Sequence, residues 1–242
     1  CFLSSKVILV ADALAFRFPD KTQKEKCVTI HNGVDLQRFV PLTRSNLKPC
    51  NPYFESQSIL VAHSGRVEPQ KGQRQLIEAC GRLRDLVPGL RIVFAGEIKD
   101  DAYFQGCLQS ASSLGVRERI RFIGHQEDVI GLLQASDIFV MPSIKGEAFS
   151  RALLEAMAMG KPVIATTCGG SVEAFEENSS GFSVPPEDSA ALAEKIALLS
   201  SHQELRSQIG RAARNRVEAC FGIEKNVERT VHVYAEVLRG RL

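Results

Sequence analysis

The sequence predicts an α/β protein: a doubly wound parallel sheet with helices on both faces, built from residues 58–242. Two observations carry that expectation. From Ser58 onward, apolar runs alternate with amphipathic helical patterns at regular spacing, the signature of a parallel sheet. The chain, 242 residues of which 44% are hydrophobic, is also long enough to bury a substantial core. Such a sheet has one crevice, at its topological switch point above the carboxyl ends of the strands, where a ligand would bind.

Taken in order, Val7-Ile8-Leu9-Val10 is a short apolar run followed by a brief helical pattern, broken by Pro19 and the charged stretch 20–26. Cys27–Ile30 reads as a strand ending in His31-Asn32-Gly33-Val34-Asp35, a turn in which Gly33 can take positive φ. Residues 41–57 hold Pro41, Pro49 and Pro52 among polar residues and read as a linker, so residues 1–40 cannot form a core of their own. The strands of the main domain are expected at Ile59–Ala62, Arg91–Ala95, Ile120–Ile123, Ile138–Met141, Val163–Thr166 and Phe182–Val184. Helices are expected near 72–86, 101–114, 126–135, 150–159 and 171–177, with 188–199, 203–219 and 224–239 closing the chain. Val227, Val231, Tyr234 and Val237 form a stripe at helical spacing on the last of these. Two roles remain open for it: a crossing back to another domain, or core packing.

The stretch Glu147–Gly170 organises the domain. A loop with Glu147, Ala148 and Phe149 leads into a helix starting near Ser150; Gly160 stops it, Pro162 prevents its resumption, and Val163–Thr166 is a buried strand. A helix amino terminus offers free N–H groups and a positive dipole end, a natural seat for phosphate. Leu153, Ala156 and Met157 would face the sheet, putting Glu155 on the opposite side near Arg151. Glu155 could be half of an exposed Arg–Glu pair, or it could join Glu147 in binding sugar hydroxyls flanking a diphosphate. The loop Gly65-Arg66-Val67-Glu68-Pro69-Gln70-Lys71-Gly72 follows the first strand of the domain. It is neither a Walker A loop nor GxGxxG, but it carries a guanidinium and an ammonium able to neutralise a diphosphate, or simply two surface cations.

Composition excludes several classes. The net charge of +2, with both signs interspersed, argues against nucleic acid or an acidic membrane surface as partner. No apolar run approaches the length of a membrane span. Seven widely spaced cysteines without a CxxC pair read as reduced residues of a cytoplasmic protein. The five histidines fit neither HxxxH nor HExxH, so no zinc site is expected. The first residue is Cys1 and not Met, and the chain is expected to be part of something longer.

In combination, GR…KG at 65–72, the E-x7-E of Glu147 and Glu155, the GG-x-x-E of Gly169–Glu173 and HNGVD followed by Phe39 and Pro41 resemble the family 4 (group 1) retaining glycosyltransferases of GT-B fold. The resemblance is collinear from about residue 1 to Tyr234. It implies two Rossmann-like domains flanking a cleft, the carboxyl-terminal one (58–242) holding a nucleotide-diphosphate sugar. It also implies that residues 1–40 are a remnant of the amino-terminal acceptor domain, most of which is missing here.

By the same resemblance, Arg66 and Lys71, beside Gly65, would hold the donor diphosphate. Glu155 would take the ribose hydroxyls and Glu147 would sit by the transferred sugar. The amides of Phe149 and Ser150 would contact sugar and phosphate, and Gly124 with Gln126 would edge the base. Ala148 and Ser150 stand where glycine is frequent in the family, which narrows the sugar space. The catalytic residues are then Glu147, Arg66 and Lys71, which stabilise charge as it develops on the leaving phosphate. No metal or other cofactor is expected. The implied partners are the nucleotide sugar and the missing amino-terminal domain, through which a peripheral membrane association could arise. The competing reading is a module that binds the donor without transferring it. An epimerase, a phosphorylase or a dinucleotide dehydrogenase fits the motifs less well.

Overall fold

The computed structural model describes residues 5–18, 20–41, 53 and 58–239, so most of the expected linker at 41–57 lies outside the described residues. In the amino-terminal segment β1 (Val7–Leu9) pairs in parallel with β2 (Cys27–Thr29). A 3-10 turn over Asp12–Arg17 and the single-turn helix α1 (Lys21–Lys24) connect them.

The main sheet contains β3 (Ile59–Ser64), β4 (Leu90–Ala95), β5 (Ile120–Phe122), β6 (Ile138–Met141), β7 (Val163–Thr166) and β8 (Phe182–Val184). Their order is β5-β4-β3-β6-β7-β8, and every neighbouring pair is parallel. The six expected strands are therefore all present, and the order reverses between β3 and β6, which fixes the crevice above their carboxyl ends. The helices are α2 (Gln73–Arg82), α3 (Asp101–Ser113), α4 (Ile130–Ala135), α5 (Arg151–Ala158), α6 (Ser189–Ser201), α7 (Gln203–Cys220) and α8 (Ile223–Arg239).

Period-2 alternation along the strands divides the core in two. Leu60, Ala62, Phe139, Met141, Val163 and Ala165 pack with α4, α5 and α7 on one face. Val61, Ile92, Phe94, Ile138, Val140 and Ile164 pack with α2, α3 and α6 on the other. Leu153, Ala156 and Met157 are fully buried in the first layer, as their spacing predicts. Each buried Leu or Ile contributes roughly 1.5–3 kcal/mol. Beyond the end of α5, Gly160 adopts φ +67° and its N–H donates to Met157 O at 2.9 Å.

The structure corrects three expectations. Helix α4 begins at Ile130 and not near 126, because the preceding polar residues form a turn in which Asp128 Oδ1 accepts from Ile130 N. The helix expected at 171–177 is a 3-10 turn over Gly169–Ala174, a segment too short and too glycine-rich at its start to nucleate an α-helix. Gly33 does not take positive φ. It is needed instead for close approach: a Cβ there would lie 2.7 Å from Ile223 Cα.

The structure also bears on the two roles left open for the α8 stripe. Its buried line runs through Val233 against β2, with Asn226 Nδ2 donating to His31 O at 2.6 Å. Val227, Val231 and Tyr234 are exposed at 52%, 58% and 62% of their surface, so core packing does not explain the stripe. Val34 and Phe221 complete the tie between segment and domain, with Val34 N donating to Phe221 O at 2.9 Å.

Candidate active site

Two adjoining pockets sit over the switch point and share Ser64 and Gly65. The first, about 380 Å³, is lined by His63, Lys71, Ser143, Glu147, Ser150 and Glu155 among others. The second, about 270 Å³, is lined by Arg66, Gly96, Glu97, His125, Gln126 and Val129. A larger open depression of about 1080 Å³ along Ser201–Arg211 is formed mainly by polar side chains at the start of α7 and lies away from the strand ends.

Local sequence accounts for the shape of the first pocket. Ser150 caps α5, its Oγ accepting from Leu153 N at 3.3 Å. The N–H groups of Arg151 and Ala152 have no protein acceptor among the described residues, and both residues line the pocket. Opposite them, the β3–α2 loop is held at several points. Gly65 N donates to Ala95 O at 2.9 Å, Val67 N to Glu97 O at 2.8 Å, and Ile144 N to Gln70 O at 2.8 Å. The loop therefore lies between the ends of β4 and β6.

The two carboxylates live in different electrostatic settings. Glu147 Oε2 accepts from Lys71 Nζ at 2.7 Å and from Ser143 Oγ at 3.1 Å, in an ion pair whose side chains are 19% and 12% exposed. Among the described residues Glu155 has no ion pair within 4 Å, so the Arg151–Glu155 pair is not formed. Burial pushes its carboxyl above the usual carboxylate range, against the attraction of Arg151 and Arg38. Arg66 reaches Glu68 Oε1 at 2.9 Å and keeps 58% of its side chain exposed at the second pocket.

Of the residues singled out from sequence, the first pocket brings together Gly65, Lys71, Glu147, Ser150 and Glu155, and the second gathers Gly65, Arg66 and Gln126. Gly124 lies behind the second pocket, its carbonyl accepting from Gly96 N at 2.7 Å. Gln126 turns its amide nitrogen to Ile123 O and His125 O at 2.8 and 3.0 Å. Phe149 is buried between the rings of His31 and Phe221, its carbonyl accepting from Asn32 Nδ2 at 2.8 Å. The Ser150 amide already donates to Ser171 Oγ at 3.0 Å.

Sequence reasoning missed several residues. His63 and Ser143 line the first pocket and follow simply from lying at the ends of β3 and β6. Glu173 had a motif but no structural assignment. It accepts from Asp12 N, Ala13 N and His31 Nε2 at 3.0, 2.8 and 2.7 Å, stapling the amino-terminal segment to the domain. Asp12, His31 and Glu173 each bring one ligand-type atom within 4.8 Å of the others, but both Glu173 oxygens are already engaged in this staple.

The parallel sheet with its switch-point pockets defines an α/β domain of the GT-B kind. The family model described as glycosyl transferases group 1 matches residues 52–216, and the chain belongs to that family. It is 33% identical over 219 residues to EpsD of Bacillus subtilis (strain 168), covering 89% of this chain and 55% of that protein. A glycosyltransferase structure from Rickettsia africae ESF-5 superposes with a TM-score of 0.89 at 30% identity, over 97% of this chain and 64% of that one. The Anabaena protein Alr3699/HepE, in a structure with UDP and glucose, superposes with a TM-score of 0.87 at 26% identity, over 96% and 63% of the two chains. The chain thus spans about half the length of the curated relatives it matches. Among the described residues, no helix is long and apolar enough to cross a membrane.

Proposed function

We propose that this chain is the donor-binding half of a cytoplasmic, retaining glycosyltransferase that uses a nucleotide-diphosphate sugar. One observation carries the reading: Lys71, Glu147, Glu155 and the unpartnered amides of α5 converge on a single pocket at the switch point. Lys71 and the α5 amides take the β-phosphate, and Arg66 reaches the diphosphate from the neighbouring pocket. These groups stabilise the negative charge that the leaving nucleoside diphosphate acquires, the role a divalent cation fills in other transferases. Glu155, desolvated and without an ion pair among the described residues, accepts the ribose hydroxyls in charge-assisted hydrogen bonds. Glu147, oriented by Lys71 and Ser143, faces the transferred sugar. Gln126 and the backbone after Gly124 edge the base.

In this reading residues 1–40 are the remnant of an acceptor domain and 41–57 the linker. The exposed positions Val227, Val231 and Tyr234 of the α8 stripe, with Leu238 beside them, are a surface that the missing domain covers. Any peripheral membrane contact belongs to that domain. The acceptor is bound there, so alone this chain holds the donor without transferring it; its coverage of about half of its relatives' length supports this second reading.

Calorimetric titration with UDP-, GDP- and ADP-sugars and the matching free diphosphates tests the proposal. One nucleotide series should bind, and Glu147→Ala should weaken the sugar conjugate more than the diphosphate. No binding by any of the six ligands would overturn the assignment. Equal losses for both ligands would overturn the division of labour between the two carboxylates.

A further inference from the structure

Gln73 is the first residue of α2 and is fully buried. Its Nε2 donates to Arg66 O at 2.8 Å and lies 3.4 Å from His63 Nε2, while its Oε1 is buried with no hydrogen-bond partner among the described residues. An orphaned amide oxygen is destabilising in a protein interior, and an apolar side chain would avoid it. The rest of the amide explains why glutamine stands here.

His63, also buried, settles the amide's orientation. Its Nδ1 lies 3.0 Å from the Val140 carbonyl, which can only accept, so Nδ1 carries the proton and Nε2 keeps its lone pair. Burial lowers its pKa to about 4, so the ring is neutral and this tautomer persists near neutral pH. Two acceptors, His63 Nε2 and Arg66 O, therefore face one NH2 group. If the amide were flipped, both contacts would set oxygen against an acceptor. The chain Val140 O–His63–Gln73–Arg66 O thus runs from the end of β6, beneath the first pocket, to the loop that separates it from the second.

We propose that Gln73, oriented by His63, is the positioning residue of the phosphate-binding loop: by holding the Arg66 carbonyl it sets Gly65 and Arg66 at the wall between the two pockets. The proposal rests on the functional reading above, in which Arg66 meets the donor diphosphate. Gln73 touches no ligand itself and acts through the backbone of Arg66. Gly65 has little room to move, since a Cβ on it would lie 3.2 Å from His63 Nε2. A loop released from Gln73 therefore shifts away from the ring and takes the guanidinium with it.

The test is a double-mutant cycle in the chain as it stands, titrated with UDP, GDP and ADP and followed with whichever binds most tightly. Gln73→Met keeps the volume and loses the donor. Loss of one neutral hydrogen bond corresponds to roughly three- to tenfold weaker diphosphate binding, with binding of the bare nucleoside unchanged. Combined with Arg66→Ala, it should add less than about twofold, because both changes act on one group. His63→Phe, which leaves Gln73 in place but unoriented, should weaken binding in the same direction and serves as the second variant if Gln73→Met does not fold. Wild-type-like binding by the folded Gln73 variant, or losses that multiply with Arg66→Ala, overturns the positioning role alone. If the unmodified chain binds no diphosphate, or Arg66→Ala binds as tightly as wild type, the functional reading fails and the positioning role fails with it.

Discussion

The two ends of the first pocket handle negative charge in opposite ways. At one end Glu147 is neutralised before any ligand arrives, by Lys71 and Ser143. At the other Glu155 is drawn partly out of water by the packing of α5 and has no ion pair among the described residues, its carboxyl raised by burial. The first arrangement adds to stability, whereas the second costs some. In the proposed function it is this desolvated carboxylate that takes hydroxyl donors from a bound ligand. The difference teaches that the E-x7-E spacing delivers two dissimilar acids: one held by the fold and one kept available by it.

The largest expected effect breaks the held end. Lys71→Met leaves Glu147 with only Ser143 in a mostly buried site and should cost about 2–4 kcal/mol of stability, read from the urea midpoint. The same variant should lose at least about tenfold in diphosphate affinity if Lys71 meets the phosphate. A change below half a kcal/mol would show that the pair is solvated and that the two ends do not differ.

Next in size is the available end. Glu155→Ala should cost roughly 1.5–3 kcal/mol of nucleotide affinity, about ten- to a hundredfold, while leaving stability unchanged or slightly raised. Its titration sharpens the contrast. The folded-state pKa of Glu155 lies above the usual 4.5, so its contribution favours folding below that value and is lost as pH rises through the raised one. Glu155→Gln should therefore gain stability relative to wild type on going from about pH 4 to pH 7. A gap between the two that stays constant with pH would contradict the desolvation of this carboxylate.

His63, beneath the held end, should show the reverse slope. Its pKa is lowered from the ordinary 6.5 to about 4, so the unfolded chain binds the proton more readily. The stability it confers is present above 6.5 and lost as pH falls toward 4. His63→Gln should flatten that part of the profile, by at most about 1.4 kcal/mol per pH unit. An unchanged profile would mean that another group titrates there. Smallest of all, Val231→Ser with Tyr234→Ser should move the stability of this chain by less than about 0.5 kcal/mol per site. A larger loss would show that the stripe is already covered.

Much of this architecture was legible because strands and helices announce themselves by period. The six strands of the main sheet follow from apolar runs such as Val163–Thr166, and the buried face of α5 follows from Leu153, Ala156 and Met157. The phase of α8 was not legible, since Val231 and Val233 are equally apolar and only the position of β2 decides which is buried. The site was half legible. Lys71, Glu147 and Glu155 stood out as charges in motifs, but that Lys71 pairs with Glu147 while Arg151 makes no direct pair with Glu155 depends on how the β3 and β6 loops face each other. Gln73 and His63 carried no motif at all, because a buried polar chain is assembled from residues whose neighbours are set only by the fold.

The bridge between Val34 and the strand-like turn at Gly222 has a consequence for how the chain reaches this state. Asn226 meets His31 across a sequence separation of 195 residues, and α8 buries Val233 against β2. When this chain refolds, the amino-terminal segment can make these contacts only after residues near the carboxyl terminus have folded. Contacts of such long range slow folding and leave apolar edges open meanwhile. The late docking of α8 is therefore the expected slow phase of refolding of this chain.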